Sequence, residues 1–97
     1  MKVSEASGPA LDWMVAKVIG EYKPVAVPKY STDWAQGGPI IEREKIGSLW
    51  EARNVWSAST KWDDPSKVFY GKTKLIAACR CYVASKLGEE VEVPEGL

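Results

Sequence analysis

The sequence predicts an α+β fold, a small two-layer sandwich with about three helices packed on a two- to three-stranded antiparallel sheet. Three observations carry that expectation. Apolar residues recur at helical spacing in three separate segments. Between residues 48 and 62 the period changes to two. The chain has 97 residues, and domains typically hold on the order of 100–150, so residues 1–97 are expected to form a single domain.

Met1–Ser7 is a polar lead-in, expected to be loose. The first helix follows over about Pro9–Ile19, with Pro9 suited to a first helical position and Gly20 to the residue past the end. Leu11, Met14, Val15 and Val18 share its apolar face. Trp13 lies off that face, either folded under a loop or exposed as an anchor for a partner. Glu21–Lys29 reads as a loop, because Pro24 and Pro28 bracket Val25-Ala26-Val27 too closely for a central strand.

Tyr30–Glu44 is the stretch around which the chain is expected to be organised. Ser31 or Thr32 can cap a helix, and Asp33 suits its first turn. Trp34, Gly37, Gly38 and Ile41 then fall on one helical face. Pro39 either kinks this helix or ends it, and one element running to about Lys45 is expected, stopped by Gly47. Glycines on its buried face would let another backbone approach closely.

From Ser48 to Trp62, Trp50, Ala52, Asn54, Trp56, Ala58, Thr60 and Trp62 share one face, while Leu49, Glu51, Arg53, Val55, Ser57, Ser59 and Lys61 share the other. Fifteen residues exceed an ordinary strand of roughly 5–6, so a break into two antiparallel strands is expected near Arg53–Val55. The Trp/Ala face should meet the helices. Asp63-Asp64-Pro65-Ser66 is a turn, and Lys67–Tyr70 a short third strand. The last helix spans about Thr73–Leu87, capped by Thr73 and stopped by Gly88. Its buried face should hold Ile76, Cys79, Val83 and Leu87 with Leu75 and Tyr82 beside them, and Cys81 should lie nearer the exposed side. Residues 89–97 form an extended C-terminal arm in which Val91 and Val93 alternate with acids until Pro94.

Composition narrows the function. Hydrophobic residues make up 45% and charged residues 27%, and five residues are Trp. Lys and Arg number 13 against 13 Asp and Glu, and the signs stay balanced along the chain. The basic stripe of a nucleic-acid binder is missing, so nucleic acid is disfavoured as a partner. There is no His, which removes the commonest general base and metal ligand together. Cys79 and Cys81, two apart on a helix, point about 200° apart and can neither bridge nor chelate; free thiols suit a reducing compartment. No apolar run approaches the ~20 residues of a membrane span, so no membrane is expected. Neither metal nor cofactor is called for.

Gly71-Lys72-Thr73 invites a phosphate-loop reading, but the motif needs glycine where Ser66 stands, and Lys67-Val68-Phe69-Tyr70 belongs to a strand. No catalytic residues are assigned. A carboxylate enzyme built on Asp33, Glu42 or Glu44 with Arg80 is the weakest reading, because surface helices are normally rich in such groups. The candidate ligand or partner surface comprises Tyr30, Ser31, Thr32, Asp33, Trp34, Gly37, Gly38 and Arg80. There a helix N-terminus could hold a small, nucleotide-like anion, with Arg80 reaching in from the last helix. The plainer account makes Ser31 or Thr32 a cap and lays the Arg80 stem on the core with its charge in water. An edge strand in so small a sheet also leaves a homodimer open.

Three segments resemble the NinX-like small phage and prophage proteins of the phage ABA-sandwich group. They are Leu11-Asp12-Trp13 with Val15-Ala16, the run from Tyr30 to Glu44, and Thr73-Lys74-Leu75-Ile76-Ala77-Ala78-Cys79-Arg80-Cys81-Tyr82-Val83-Ala84-Ser85-Lys86-Leu87-Gly88 continuing into Glu90-Val91-Glu92-Val93-Pro94. From the first to the last they span residues 11–94. The sheet region matches poorly, and Lys74 stands where proline is the expected residue. The resemblance implies helices packed on an antiparallel sheet, a phage or prophage origin and hence the cytoplasm of the bacterial host. It implies no activity and transfers no catalytic residue. The leading expectation is a non-enzymatic accessory protein that binds a host or phage protein.

Overall fold

The computed structural model of the chain describes residues 1–20 and 27–97. They form three α-helices, α1 (Gly8–Ile19), α2 (Trp34–Glu44) and α3 (Lys74–Leu87), and three strands, β1 (Gly47–Ala52), β2 (Val55–Ser59) and β3 (Phe69–Gly71). The strands make one antiparallel sheet in the order β1-β2-β3. The fold is therefore α+β, as expected. Among the described residues no helix is long and apolar enough to cross a membrane. The expected loop at Glu21–Lys29 lies outside the described residues as far as position 26.

The hub is α3, not the Tyr30–Glu44 stretch. It packs on all three strands, on α1, on α2 and on the 3-10 turn Val3–Glu5. A helix so enclosed needs apolar or small residues nearly all round, and Leu75, Ala77, Ala78, Cys79, Cys81, Tyr82 and Val83 are all buried. This corrects the one-sided face expected from periodicity: Ile76 is half-buried, Leu87 is exposed and Cys81 is buried, not near the surface. Thr73 is the cap, its hydroxyl accepting from the Ile76 N–H at 3.1 Å. Gly71, just upstream, must lack a side chain, because a Cβ there would stand 2.6 Å from the Ala77 nitrogen.

In α2 the cap is Asp33, whose carboxylate accepts from the Ala35 N–H at 3.0 Å, not Ser31 or Thr32. The helix continues through Pro39. The bond lost at Pro39 would have gone to the Ala35 carbonyl, and both residues are exposed, where solvent can take its place. Lys45 in the left-handed region (φ 54°) ends the helix, and the Ile46 N–H reaches back to the Ile41 carbonyl at 3.0 Å, a Schellman-type closure. Gly47, expected as the stop, instead opens β1. The buried face is Gly37 with Ile40, while Trp34 stands 53% exposed.

The break in the period-two segment falls at Arg53-Asn54, where Asn54 takes a positive φ of 59°, a conformation Asn tolerates. The register sets Ser48 and Trp50 against Ala58 and Trp56, and these against Phe69 and Gly71. Trp56, Ala58 and Phe69 join the core, so this is the inner face. Only part of the Trp stripe meets the helices. Trp50 shares that face but sits on the edge strand and is 65% exposed. Trp62 lies beyond the strand, and its indole covers the place where a Gly47 side chain would be, with Nε1 2.9 Å from that position. The third strand begins at Phe69, after the 3-10 turn Pro65–Lys67 capped by Asp64.

The lead-in is anchored rather than loose. Val3 is fully buried, its N–H donates to the Glu89 carbonyl at 2.9 Å, and the Val91 N–H donates to the Met1 carbonyl at 3.0 Å. Lys2 pairs with Glu90. The C-terminal arm thus begins as the partner of the N-terminal segment, with Val91 buried in the same core.

Candidate functional site

The structure places the residues expected around the α2 N-terminus in two environments. Tyr30 and Ser31 are buried, and the Ser31 N–H and hydroxyl both donate to Asp12 Oδ1, at 2.8 and 2.7 Å. Asp12, itself buried on α1, ties the loop before α2 to the first helix. Unmet polar groups in such a place would cost about 1–3 kcal/mol each, so the pairing is a structural clasp. Thr32, Asp33 and Trp34 are exposed. Asp33 spends its carboxylate on the cap, and Lys74 Nζ stands 5.6 Å from the Trp34 ring centroid. Gly37 is where the Tyr30 carbonyl packs directly against the helix, and a Cβ there would also stand 2.8 Å from Leu75 Cδ2. Gly38 has more room, its nearest neighbour being Trp34 at 3.4 Å.

Arg80 does not reach into this cluster. Its Nε donates to the Ala6 carbonyl at 2.9 Å and its Nη1 to the Tyr70 carbonyl at 2.7 Å. It therefore staples the N-terminal segment and β3 to α3. Arg80 lines a cleft of about 530 Å³ together with Lys2, Ser4, Phe69, Tyr70 and Glu89. Burial pushes its pKa below the usual arginine value. Of the two readings of Trp13, folded under a loop or exposed as an anchor, the structure has it half-buried against the core, with Lys17 Nζ 5.3 Å from its ring centroid.

The carboxylates weighed for acid–base work are scattered. Asp33 caps a helix, Glu42 is exposed, and Glu44 pairs with Arg43 at 3.2 Å and Lys86 at 3.3 Å. Partial desolvation raises the Glu44 carboxyl, but the hydrogen bonds from Arg43 and Lys86 outweigh it and hold it below the usual carboxylate range. The two thiols are sealed. Burial, and then the charge of Asp12, pushes Cys79 up to about 12. Burial pushes Cys81 up to about 11 against a backbone hydrogen bond at Thr60.

Sequence reasoning missed the outer face of the sheet. Leu49, Ser57 and Tyr70 form a row across β1, β2 and β3. Leu49 is 54% and Tyr70 55% exposed, with the small, buried Ser57 between them. Glu51 accepts from the Ser57 hydroxyl at 2.6 Å, and exposed Val55 and Trp62 extend the apolar surface. The signal was in the alternation itself, since Leu49 and Val55 are apolar on the face that polar residues otherwise hold.

A comparison with curated proteins finds no match. The family model described as Bacteriophage P22, NinX matches residues 18–86, and the chain belongs to that family of phage proteins.

Proposed function

We propose that this phage-encoded accessory protein is a non-enzymatic binding module that docks a host or phage protein on the outer face of its sheet. The observation that supports this reading is the row Leu49–Ser57–Tyr70, flanked by Val55 and Trp62, which no described element covers. Contiguous exposed apolar surface of this kind marks interaction sites, and Tyr and Trp are the side chains that most often carry binding energy at their centre. Glu51, Arg53 and Lys61 supply mixed charge around it, which suits a protein surface better than a polyanion. A non-catalytic role is supported by thiols that keep their protons at neutral pH and by carboxylates already committed to a cap and an ion-pair network.

The test is affinity purification of the tagged protein from phage-infected bacterial host cells, beside two variants. Leu49→Asp with Tyr70→Asp should lose a protein that the unaltered chain captures, whereas Trp34→Ser, on α2, should keep it. Equal capture by all three forms, or no captured protein with any of them, would overturn the reading.

A further inference from the structure

We propose that the cleft around Arg80 binds a small molecule bearing one carboxylate or phosphate group on an apolar body. This goes beyond the docking surface on the outer face and does not depend on it. The partners of Arg80 are two backbone carbonyls, of Ala6 and Tyr70, and among the described residues it forms no ion pair with a carboxylate. A guanidinium has five donors in a fixed plane. With Nε and one N–H of Nη1 engaged, one N–H of Nη1 and both of Nη2 remain as donors for an anion. The side chain is half-buried and its charge is disfavoured by desolvation, so a counter-ion would relieve a cost already present.

The walls select the rest of the ligand. The cleft volume of about 530 Å³ falls within the roughly 300–1,000 Å³ of small-molecule sites. Val3, Val68 and Phe69 bring apolar residues to the lining, Lys2 a second cation and Ser4 a hydroxyl. Glu89 and Glu90 stand in the same lining and would repel a polyphosphate, which sets the limit at a single anionic group. The backbone staples that hold Arg80 also fix its plane before any ligand arrives, which lowers the ordering cost of binding.

The experiment is a titration of the isotopically labelled protein with phenylacetate, phenyl phosphate and uncharged benzyl alcohol, followed by amide and Arg Nε–H shifts in NMR. Saturable shifts confined to residues 2–4, 68–70, 80 and 89–90 with one of the anions support the proposal, and the tighter of the two identifies carboxylate or phosphate as the group recognised. Arg80→Lys, which keeps the charge but loses the fork, should weaken that binding about tenfold. If Arg80→Lys does not fold, Lys2→Ala should weaken it by about half as much on a logarithmic scale, as expected of an exposed second cation. Benzyl alcohol binding as well as the anions, shifts spread over other surfaces, no saturation, or unchanged affinity in the folded variants would each overturn it.

Discussion

Cys79 and Cys81 show how far the enclosure of α3 reaches into side-chain chemistry. Both thiols have an ordinary value of 9.0 and are pushed up to about 12 and about 11. The folded chain therefore holds two protons that the unfolded chain gives up above pH 9. Stability from this source is fully present below pH 9 and falls as pH rises towards 11, by up to about 1.4 kcal/mol per pH unit for each thiol. Urea denaturation across that range should show a steeper alkaline loss in the unaltered protein than in the Cys79→Ala, Cys81→Ala double variant. An aromatic disulfide reagent at pH 8 should label neither thiol until the protein unfolds. Spacing alone gave Cys79 its core position, but it put Cys81 near the surface. Sequence periodicity locates a single apolar stripe, and it fails on a helix that has neighbours on nearly every side. Asp12 was hidden for a related reason: its role depends on Ser31, nineteen residues away, and nothing local marks the pair.

Among the elements, α2 separates two glycines that look alike in sequence. Both were legible as room for a close approach, but only Gly37 is used that way, with the Tyr30 carbonyl and Leu75 against it. Replacing Gly37 with Ala forces one of these apart or shifts the helix, and should destabilise the protein by about 1–3 kcal/mol. Gly38→Ala meets only ordinary contact with Trp34 and removes a helix-interior glycine, so it should stabilise by up to about 1 kcal/mol. Thermal melts of the two variants should move in opposite directions. A common direction would mean that the approach of Tyr30 to α2 is not as the structure has it. The helix ends where expected, near Lys45, but its stop was misread as Gly47: Lys45, not a glycine, takes the left-handed conformation, and residue type alone does not announce that.

At the scale of the whole molecule, α3 separates the sheet from α1 and α2 and leaves the sheet with one covered and one uncovered face. The hairpin break and the number of helices were legible because turn chemistry and period are local signals. Which side chains of the strands end up inside was only half legible, because burial depends on the width of the covering helix and on where the chain goes after Thr60. Trp50 stays exposed at the edge, and Trp62 is placed by the turn that follows β2. This layering makes a quantitative prediction. Phe69 packs on the core from the inner face, so Phe69→Ala should cost upward of about 2 kcal/mol, below the cost of a fully buried Phe but of that kind. Leu49 and Tyr70 stand on the opposite face of the sheet and are both more than half exposed. Leu49→Thr and Tyr70→Thr introduce a β-branched residue suited to a strand, so each should change stability by no more than about 0.5 kcal/mol. Urea denaturation of the three variants decides the matter. If the two outer substitutions cost as much as Phe69→Ala at every protein concentration, the outer face is covered within the chain. If their cost appears only at high concentration, a second copy covers it. Only the small, concentration-independent change leaves that face free for a partner.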